Sequence, residues 1–362
     1  MRFLFKTDYA QDVRLFKHGG QVFWYGLLGV ALMVLPFVLP ENWREYFLGQ
    51  MVFIWIYSIV GLGMMLLIGF TGQISLGHAA FMAVGAYTEA LLAAKGVPFV
   101  VSISAAALLS ATVGIIIGLP ALRLKGIYLA IATISFGFIV EEIVTRWDSV
   151  TGGNSGKTLK AIDLFGLQIN DDVRLYYLCL AILVIVMLGI VNLMRSPTGR
   201  AFVAIRDSEV SAQSMGINLA YYKTVSFAIS AALAGIAGAL YAHKISFISP
   251  EQFGLLVSIE LATIVFIGGL GSFHGAVFGA AFIIFLPELI GLSKAFLPES
   301  VAGQPGIKPT IFGLILIGFL LFEPLGIYGR WFKIRTYFAL FPFYRRGMFR
   351  RQRSFTKSDR LK

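Results

Sequence analysis

One stretch of the sequence has the spacing of a phosphate-binding loop. Residues 151–158, TGGNSGKT, match the pattern G-x-x-x-x-G-K-[ST], whose backbone N–H groups and lysine hold nucleotide phosphates. Thr151 stands where the pattern requires its first glycine, no buried strand precedes it, and the topology derived below puts the segment outside the cell. We therefore predict a turn-rich external loop rather than a nucleotide site.

Other residues able to do chemistry are sparse. Cys179 is the single cysteine, and His18, His78, His243 and His274 lack metal-ligand spacing, so we expect neither a metal nor a cofactor. No HExxH motif, paired aspartates or Ser-His arrangement lies in the apolar stretches, which disfavours a membrane-embedded enzyme. The ionisable residues within those stretches are functional candidates because charge is costly there: Glu89, Glu141, Glu142, Glu260, His78 and His274.

Three of those carboxylates have a simple explanation. Glu141, Glu142 and Glu260 lie near the ends of their stretches, where water can solvate them. Glu89 has two possible roles. It lies either at the external membrane interface, near Lys95, or along a path for a solute.

A helical stretch of mixed charge lies between two apolar stretches at residues 196–218, called here the charged segment. Pro197 and Gly199 predict the end of one helix and the start of another, and Gly216 predicts a stop. Between them, residues 200–215 predict one short helix with a mixed stripe made of Phe202, Ile205, Glu209 and Ala212. Such a helix faces either a soluble partner or the lipid headgroups.

Composition identifies the surroundings of these residues as membrane. The 362-residue chain is 57% hydrophobic and 14% charged, with a mean hydropathy of +0.80, whereas soluble domains carry about 25% charged residues. The apolar stretches are long and continuous, which predicts an all-α integral membrane protein with about ten transmembrane helices. They are residues 22–40, 51–70, 75–94, 97–119, 127–146, 175–194, 224–243, 257–271, 274–291 and 309–328, of which the third, eighth and ninth are weakest.

Basic residues predict the orientation. With the N-terminus inside, the segments 1–21, 120–126, 195–223 and 329–362 hold 21 of the 30 lysines and arginines. Both termini are then cytoplasmic, and the first span is retained rather than cleaved as a signal peptide. The basic tail, with Arg345, Arg346, Arg350, Arg351 and Arg353, predicts contact with anionic lipid rather than with nucleic acid.

Two glycine-dense motifs suggest an internal duplication. GQISLGHAAF at 72–81 and GGLGSFHGA at 268–276 share serine and histidine at similar spacing, and each leads into a helix of small residues. Transporters built from repeats place broken helices of this kind at the substrate path. Close helix packing, as in the pairs Gly114/Gly118 and Gly275/Gly279, is the alternative for individual glycines.

Five blocks of sequence carry a family resemblance. Residues 71–92, 122–137, 151–156, 196–218 and 267–280 resemble, in the same order, the LivM-type permease of branched-chain amino acid ABC importers. The resemblance covers about residues 50–328. It implies a compact ten-helix fold like that of sugar and cobalamin importers, with 22–328 as the permease domain between a cytoplasmic segment, 1–21, and the tail, 329–362.

The resemblance also implies a function and partners. The chain would conduct leucine, isoleucine and valine across a bacterial inner membrane and hydrolyse nothing itself. It would work with a LivH-like permease, two cytoplasmic LivG/LivF-like ATPases and a periplasmic binding protein. Similar permeases carry urea, short amides or other small solutes, so these remain alternatives. An ion-coupled secondary transporter is another, but it needs no charged segment and is expected to carry deeper paired carboxylates.

Roles for individual residues follow from the same resemblance. Glu209, Ala212 and Gly216 match the Glu-Ala-Ala…Gly coupling motif of importer permeases, although Val210 and Ser211 depart from it. Further candidates fall into three sets. Further candidates for ATPase coupling are Gly199, Arg200, Arg206 and Asp207. Candidates for lining the translocation path are Gln73, Ser75, His78 and Thr133. Candidates for docking the binding protein are Thr151, Gly152, Gly153 and Asn154.

Overall fold

The computed structural model describes residues 19–121, 124, 126–159, 161–164, 167–169, 171–293, 307–323 and 326–340. Helices dominate these residues, and the strands are two or three residues long. The helices are α1 Gly19–Val38, α2 Glu41–Met64 with a π-helical end at Met65–Phe70, α3 His78–Ala94, α4 Phe99–Ala121, α5 Ile127–Arg146, α6 Asp148–Thr151, α7 Asp172–Arg195, α8 Pro197–Asp207, α9 Glu209–Ser214, α10 Leu219–Ile245, α11 Leu255–Gly268, α12 Phe273–Ser293, α13 Ile307–Phe322 and α14 Gly326–Leu340.

Eight helical stretches of the described residues are long and apolar enough to cross a membrane. The remaining two predicted spans, 75–94 and 309–328, correspond to the shorter helices α3, of 17 residues, and α13, of 16 residues. The chain is therefore an all-α, multi-pass membrane protein, as predicted. The number of crossings, ten, stays a prediction, as do the domain boundaries. The N-terminal residues 1–18 and the basic run at 345–353 lie outside the described residues.

The long helix α2 forms the centre of the fold. In the most apolar part of the stretch Glu41–Phe70, 89% of the residues are buried. The corresponding share is 6% in Gly20–Val38 and 17% in Asp172–Arg195. Helix α2 packs against α7, α10 and α12. A helix that is apolar on all sides is buried on all sides within a bundle, whereas α1 and α7 leave apolar surface for lipid.

Helix α10 packs against α2, α3 and α4. Small residues permit this close approach, because a Cβ at Gly85 would collide with the backbone of Gly235, and a Cβ at Gly238 would collide with the carbonyl of Met82. The packing explanation for individual glycines therefore applies here. It also applies to Gly279, which faces the carbonyl of Ile264.

Each glycine-dense motif contains a non-helical segment that separates two consecutive helices. The first break, residues 71–77, separates α2 from α3, and the second break, residues 269–272, separates α11 from α12. Gly72, Gly269 and Gly271 have φ of 74°, 110° and 80°, a backbone that other residues rarely adopt. Two helix–break–helix units of similar sequence thus lie within one bundle, which agrees with the predicted duplication.

Short strands order some of the loops between the helices. Strand β1, Lys157–Thr158, pairs antiparallel with β4, Phe247–Ile248, just beyond the end of α10. Strands β2, Ile162–Leu164, and β3, Leu167–Ile169, form a separate antiparallel pair.

Candidate functional site: the charged segment and the first break

The charged segment folds as two helices where one was predicted. Pro197 occupies the first turn of α8, where its missing N–H costs nothing. Ser208 then adopts an extended backbone, with φ of −163°, and its Oγ accepts a 3.3 Å hydrogen bond from the backbone N–H of Ser211. Ser208 caps α9 and so divides the expected helix 200–215, because Ser at an N-cap satisfies an orphan N–H. Gly216, with φ of 82°, follows α9 as predicted.

The apolar stripe of this segment faces the chain's own spans. Phe202, Ile205 and Ala212 are buried, and the ring of Phe202 meets Tyr222 of α10 edge-on at 6.3 Å between centroids. Gly199 lets α8 approach the backbone of Met194. The two short helices are therefore seated on the bundle rather than extended away from it.

Glu209, a residue of the coupling motif, forms an ion pair inside this seat. Its Oε1 lies 2.6 Å from Nζ of Lys223 in α10, with 26% of the Glu209 side chain and 6% of the Lys223 side chain exposed. Lys223 was not a candidate in the sequence. Its position could have indicated the pair, because it is a lysine at the start of a span and follows Glu209 by fourteen residues.

The opposite face of the charged segment is exposed and of mixed character. Arg200, Asp207 and Gly216 are exposed, together with two large apolar residues, Val210 at 76% and Met215 at 82%. Sequence reasoning missed Val210 and Met215. The sequence could have identified them, because neither residue falls on the buried stripe. Apolar side chains on the exposed face of a helix do not contribute to packing within the chain.

Arg206 connects the charged segment to both breaks. Its Nη1 donates a 3.0 Å hydrogen bond to the carbonyl oxygen of Gly69, at the π-helical end of α2. Its side-chain stem lies on Gly72, where a Cβ would stand 3.3 Å from Cγ, and a Cβ on Gly271 would be 3.7 Å from Nη1. Nε and Nη2 both donate to Oδ1 of Asp207. A cation here complements the unpaired carbonyls of a helix C-terminus.

The structure brings the four path candidates together at the first break. Gln73 Nε2 donates to Ser226 Oγ at 2.9 Å, and Thr133 Oγ1 accepts from the N–H of Leu76 at 3.0 Å. The ring nitrogens of His78 lie 3.0 Å from Ser75 Oγ and 2.7 Å from Ser230 Oγ. All four are buried, at 5% exposure or less. Their hydrogen bonds hold an irregular backbone against α5 and α10, and a role along a path stays a prediction.

His274, the counterpart of His78 in the second motif, has different surroundings. Its Nε2 lies 2.7 Å from the hydroxyl of Tyr25 in α1, and its ring stacks with Tyr328 of α14 at 5.8 Å between centroids. The two similar motifs therefore serve different purposes. One copy anchors the core, and the other joins the first and last described helices.

Glu89 is not solvated at the surface, as the interface interpretation expected, and a role along a path stays a prediction. The side chain is 1% exposed, and its Oε1 bonds to Ser102 Oγ at 2.7 Å and to His243 Nε2 at 2.9 Å. These groups bond one of the two carboxylate oxygens, and the carboxylate lies buried between α3, α4 and α10. Glu142 agrees with the solvated interpretation, since it is exposed and pairs with Arg146.

The segment with phosphate-loop spacing runs from the end of α6 through a 3-10 helical turn, Gly153–Ser155, into strand β1. Thr151 is buried, with its Oγ1 donating to the carbonyl oxygens of Val144 and Trp147, and Gly153 is also buried. Lys157 donates to the carbonyl of Val150. Of the four docking candidates, Asn154 is exposed and Gly152 is half-buried.

Comparison with known proteins gives a consistent result. Residues 46–322 match the family described as the permease component of branched-chain amino acid transport systems. The chain is 35% identical over 286 residues to the high-affinity branched-chain amino acid permease protein LivM of Escherichia coli K12, covering 72% of this chain and 67% of that protein. It is 36% identical over 260 residues to LivM of Salmonella typhimurium, covering 65% and 61% respectively. LivH of Salmonella typhimurium is 26% identical over 297 residues, covering 76% of this chain and 91% of that protein. No solved structure matches the chain.

Proposed function

The chain belongs to the family of branched-chain amino acid transport permease components, and on that premise we propose that it is one of two permease subunits of an ATP-driven importer. The observation that carries this proposal is the charged segment. It lies between two spans, is seated on the bundle by its buried stripe, and turns a second face outward. A subunit that only conducts a solute has no need of such a surface, whereas a subunit driven by a separate ATPase does.

The exposed face of the charged segment is the proposed contact with the ATPase. Val210 and Met215 supply apolar contacts, and Arg200 and Asp207 supply charges around them. An apolar centre with a polar rim is the usual composition of a protein interface. Glu209 acts within the seat, through Lys223, so its part is to hold α9 in place.

Arg206 is the proposed route by which ATPase motion reaches the core. A displacement of α8 moves the guanidinium that bonds the end of α2 and lies beside the second break. Interrupted helices are the elements that rearrange in transporters. The polar network of Gln73, Ser75, His78 and Thr133 would then carry the first break as one unit.

The solute and remaining partners follow from the same premise. We propose branched-chain amino acids as cargo, a homologous LivH-like permease as the second subunit, two LivG/LivF-like ATPases and a periplasmic binding protein. The membrane is the bacterial inner membrane, with both termini in the cytoplasm, because most basic residues then lie inside. Urea, short amides and an ion-coupled mechanism are the competing possibilities.

Reconstitution of the complex in proteoliposomes tests the proposal. Uptake of labelled L-leucine should require ATP, persist when ion gradients are dissipated, and be inhibited by isoleucine and valine but not by urea or acetamide. Val210→Asp and Met215→Asp should each reduce co-purification of the ATPases. Ser155→Asp, on the exposed outer loop, is the matched control. Full ATPase retention and full uptake in both variants would refute the assigned interface.

A further inference from the structure

A cavity opens at the outer face, at the end of helix α10. It has a volume of about 300 Å³ and lies between the β2–β3 pair, the start of α7 and the end of α10. Small-molecule sites in proteins occupy roughly 300–1,000 Å³, so the cavity is large enough for a small solute. Its lining residues are Ala161, Ile162, Ile169, Asp171, Asp172, Leu175, His243, Lys244 and Ser246.

Charges of both signs meet at one side of this outer cavity. Lys244 Nζ lies 2.7 Å from Oδ1 of Asp172, and the Lys244 side chain is 13% exposed. Its ammonium also lies over Gly49 of α2, where a Cβ would be 3.5 Å away. Asp171 adds a second carboxylate, 68% exposed, whose Oδ2 lies 3.8 Å from Nε of Arg174. An ammonium with three donors and two neighbouring carboxylates offers bonds to both ends of a zwitterion.

Part of the lining of the outer cavity is aliphatic. Ile162, Ile169 and Leu175 line it; Ile162 and Leu175 belong to the buried core, and Ile169 packs against that core. A branched aliphatic side chain placed there would leave water while its charged end stays on the polar side. The accessible lining of the cavity is mainly polar, and the aliphatic residues contribute the smaller part.

The floor of the outer cavity connects to the buried carboxylate of Glu89. His243 lines the cavity although only 4% of its side chain is exposed, and its Nε2 lies 2.9 Å from Glu89 Oε1. Glu89 Oε2 has no hydrogen-bond partner among the described residues. The floor is thus attached to α3 and α4 through Glu89 and Ser102.

We infer that the outer cavity is a binding site for a free zwitterionic amino acid with an aliphatic side chain. Its carboxylate would bind Lys244, its ammonium Asp171 and Asp172, and its side chain the wall of Ile162, Ile169 and Leu175. The site would hold a solute on the outer side of the permease before it enters the bundle. This inference rests on the proposed function for its substrate class.

Equilibrium binding of labelled L-leucine to the purified complex, without binding protein, tests the site. We expect saturable binding that leucinamide, which lacks the carboxylate, and 4-methylpentanoate, which lacks the ammonium, displace at least about tenfold more weakly than leucine. Equal displacement by all three, or no saturable binding up to about 10 mM, would refute the site, because that concentration nearly fills a site with a Kd of about 1 mM.

Variants locate the binding. Lys244→Met should weaken leucine binding by about tenfold or more, through loss of a charge-assisted bond. Ala161→Trp should do the same by filling the cavity, and it removes no charged contact, so it separates binding from loss of the Lys244–Asp172 pair. Lys95→Met, at an exposed lysine of the outer side, is the control. Unchanged binding in Ala161→Trp would overturn the assignment even if Lys244→Met is unstable.

The two proposals fail in different ways. If the wild-type system imports leucine but neither variant alters binding, the cavity site is wrong and the permease function stands. If no branched-chain amino acid is transported or bound by the wild-type complex, the substrate class itself is wrong.

Discussion

The guanidinium of Arg206 donates a 3.0 Å hydrogen bond to the carbonyl oxygen of Gly69, 137 residues earlier in the chain. The bond joins the charged segment to the end of the most buried span. The same side chain lies against Gly72 and beside Gly271. A single arginine of the segment proposed to meet the ATPase therefore lies beside both breaks.

Arg206→Gln should separate ATP hydrolysis from transport. A hydrogen bond to a charged group contributes about 1.5–3 kcal/mol, so loss of coupling through this contact should reduce leucine uptake by about tenfold or more. ATPase subunits should still co-purify and hydrolyse ATP. Arg146→Gln, which removes an exposed arginine of an i,i+4 pair, should leave uptake unchanged, as surface pairs contribute little. Uptake and ATP hydrolysis are measured in parallel on the same complex. Equal losses of both would argue against a role of Arg206 in coupling ATP hydrolysis to transport.

The Glu209–Lys223 pair should stabilise the seat of α9. Replacing either partner alone, as in Glu209→Gln or Lys223→Met, should lower the free energy of unfolding by about 1–3 kcal/mol, less than the ~3–5 kcal/mol for fully buried pairs, because Glu209 is 26% exposed. The double variant should lose less than the sum of the two. Thermal unfolding in detergent measures this coupling, and additive losses would show that the pair contributes nothing.

Gly77 should tolerate no side chain. A Cβ there would collide with the carbonyl of Thr133 in α5, so Gly77→Ala should destabilise the protein by about 1–3 kcal/mol through overpacking. Gly189→Ala in α7 is the matched control, since a Cβ there meets nothing within 4 Å, and it should be neutral or stabilise the helix by about 0.5–1 kcal/mol. Comparison of the two melting temperatures tests the close packing. Equal values would contradict it.

His78 should matter more than His274, although the two occupy similar motifs. His78→Phe leaves Ser75 and Ser230 without the ring nitrogens that bond them in a buried site, and each unsatisfied group costs about 1–3 kcal/mol. His274→Phe keeps a ring for stacking with Tyr328 and loses one bond to Tyr25. We expect low yield and a lower melting temperature for His78→Phe, and a smaller change for His274→Phe. The reverse order would exclude His78 as the anchor of the first break.

The elements of the fold follow from the sequence because lipid leaves few options. Every backbone N–H and C=O within the membrane needs an internal partner, so long apolar stretches form helices. Pro197 and Gly216 likewise mark the ends of the charged segment by their own backbone preferences. The division of the charged segment at Ser208 was not predictable, because the local sequence is compatible with one helix or with two capped helices. The two-helix form is the one in which Phe202 and Ala212 are buried against the bundle.

The sequence by itself determined the membrane class, the helical spans, the charged segment and the repeated glycine motifs, because each depends on residues close together in the chain. The tertiary structure alone decided what the polar residues contact. Glu89 is buried because His243, 154 residues later, reaches it, and Arg206 bonds Gly69 across 137 residues. Such partners come together only when helices pack, and hydropathy or spacing cannot report which distant donor will satisfy a buried acceptor.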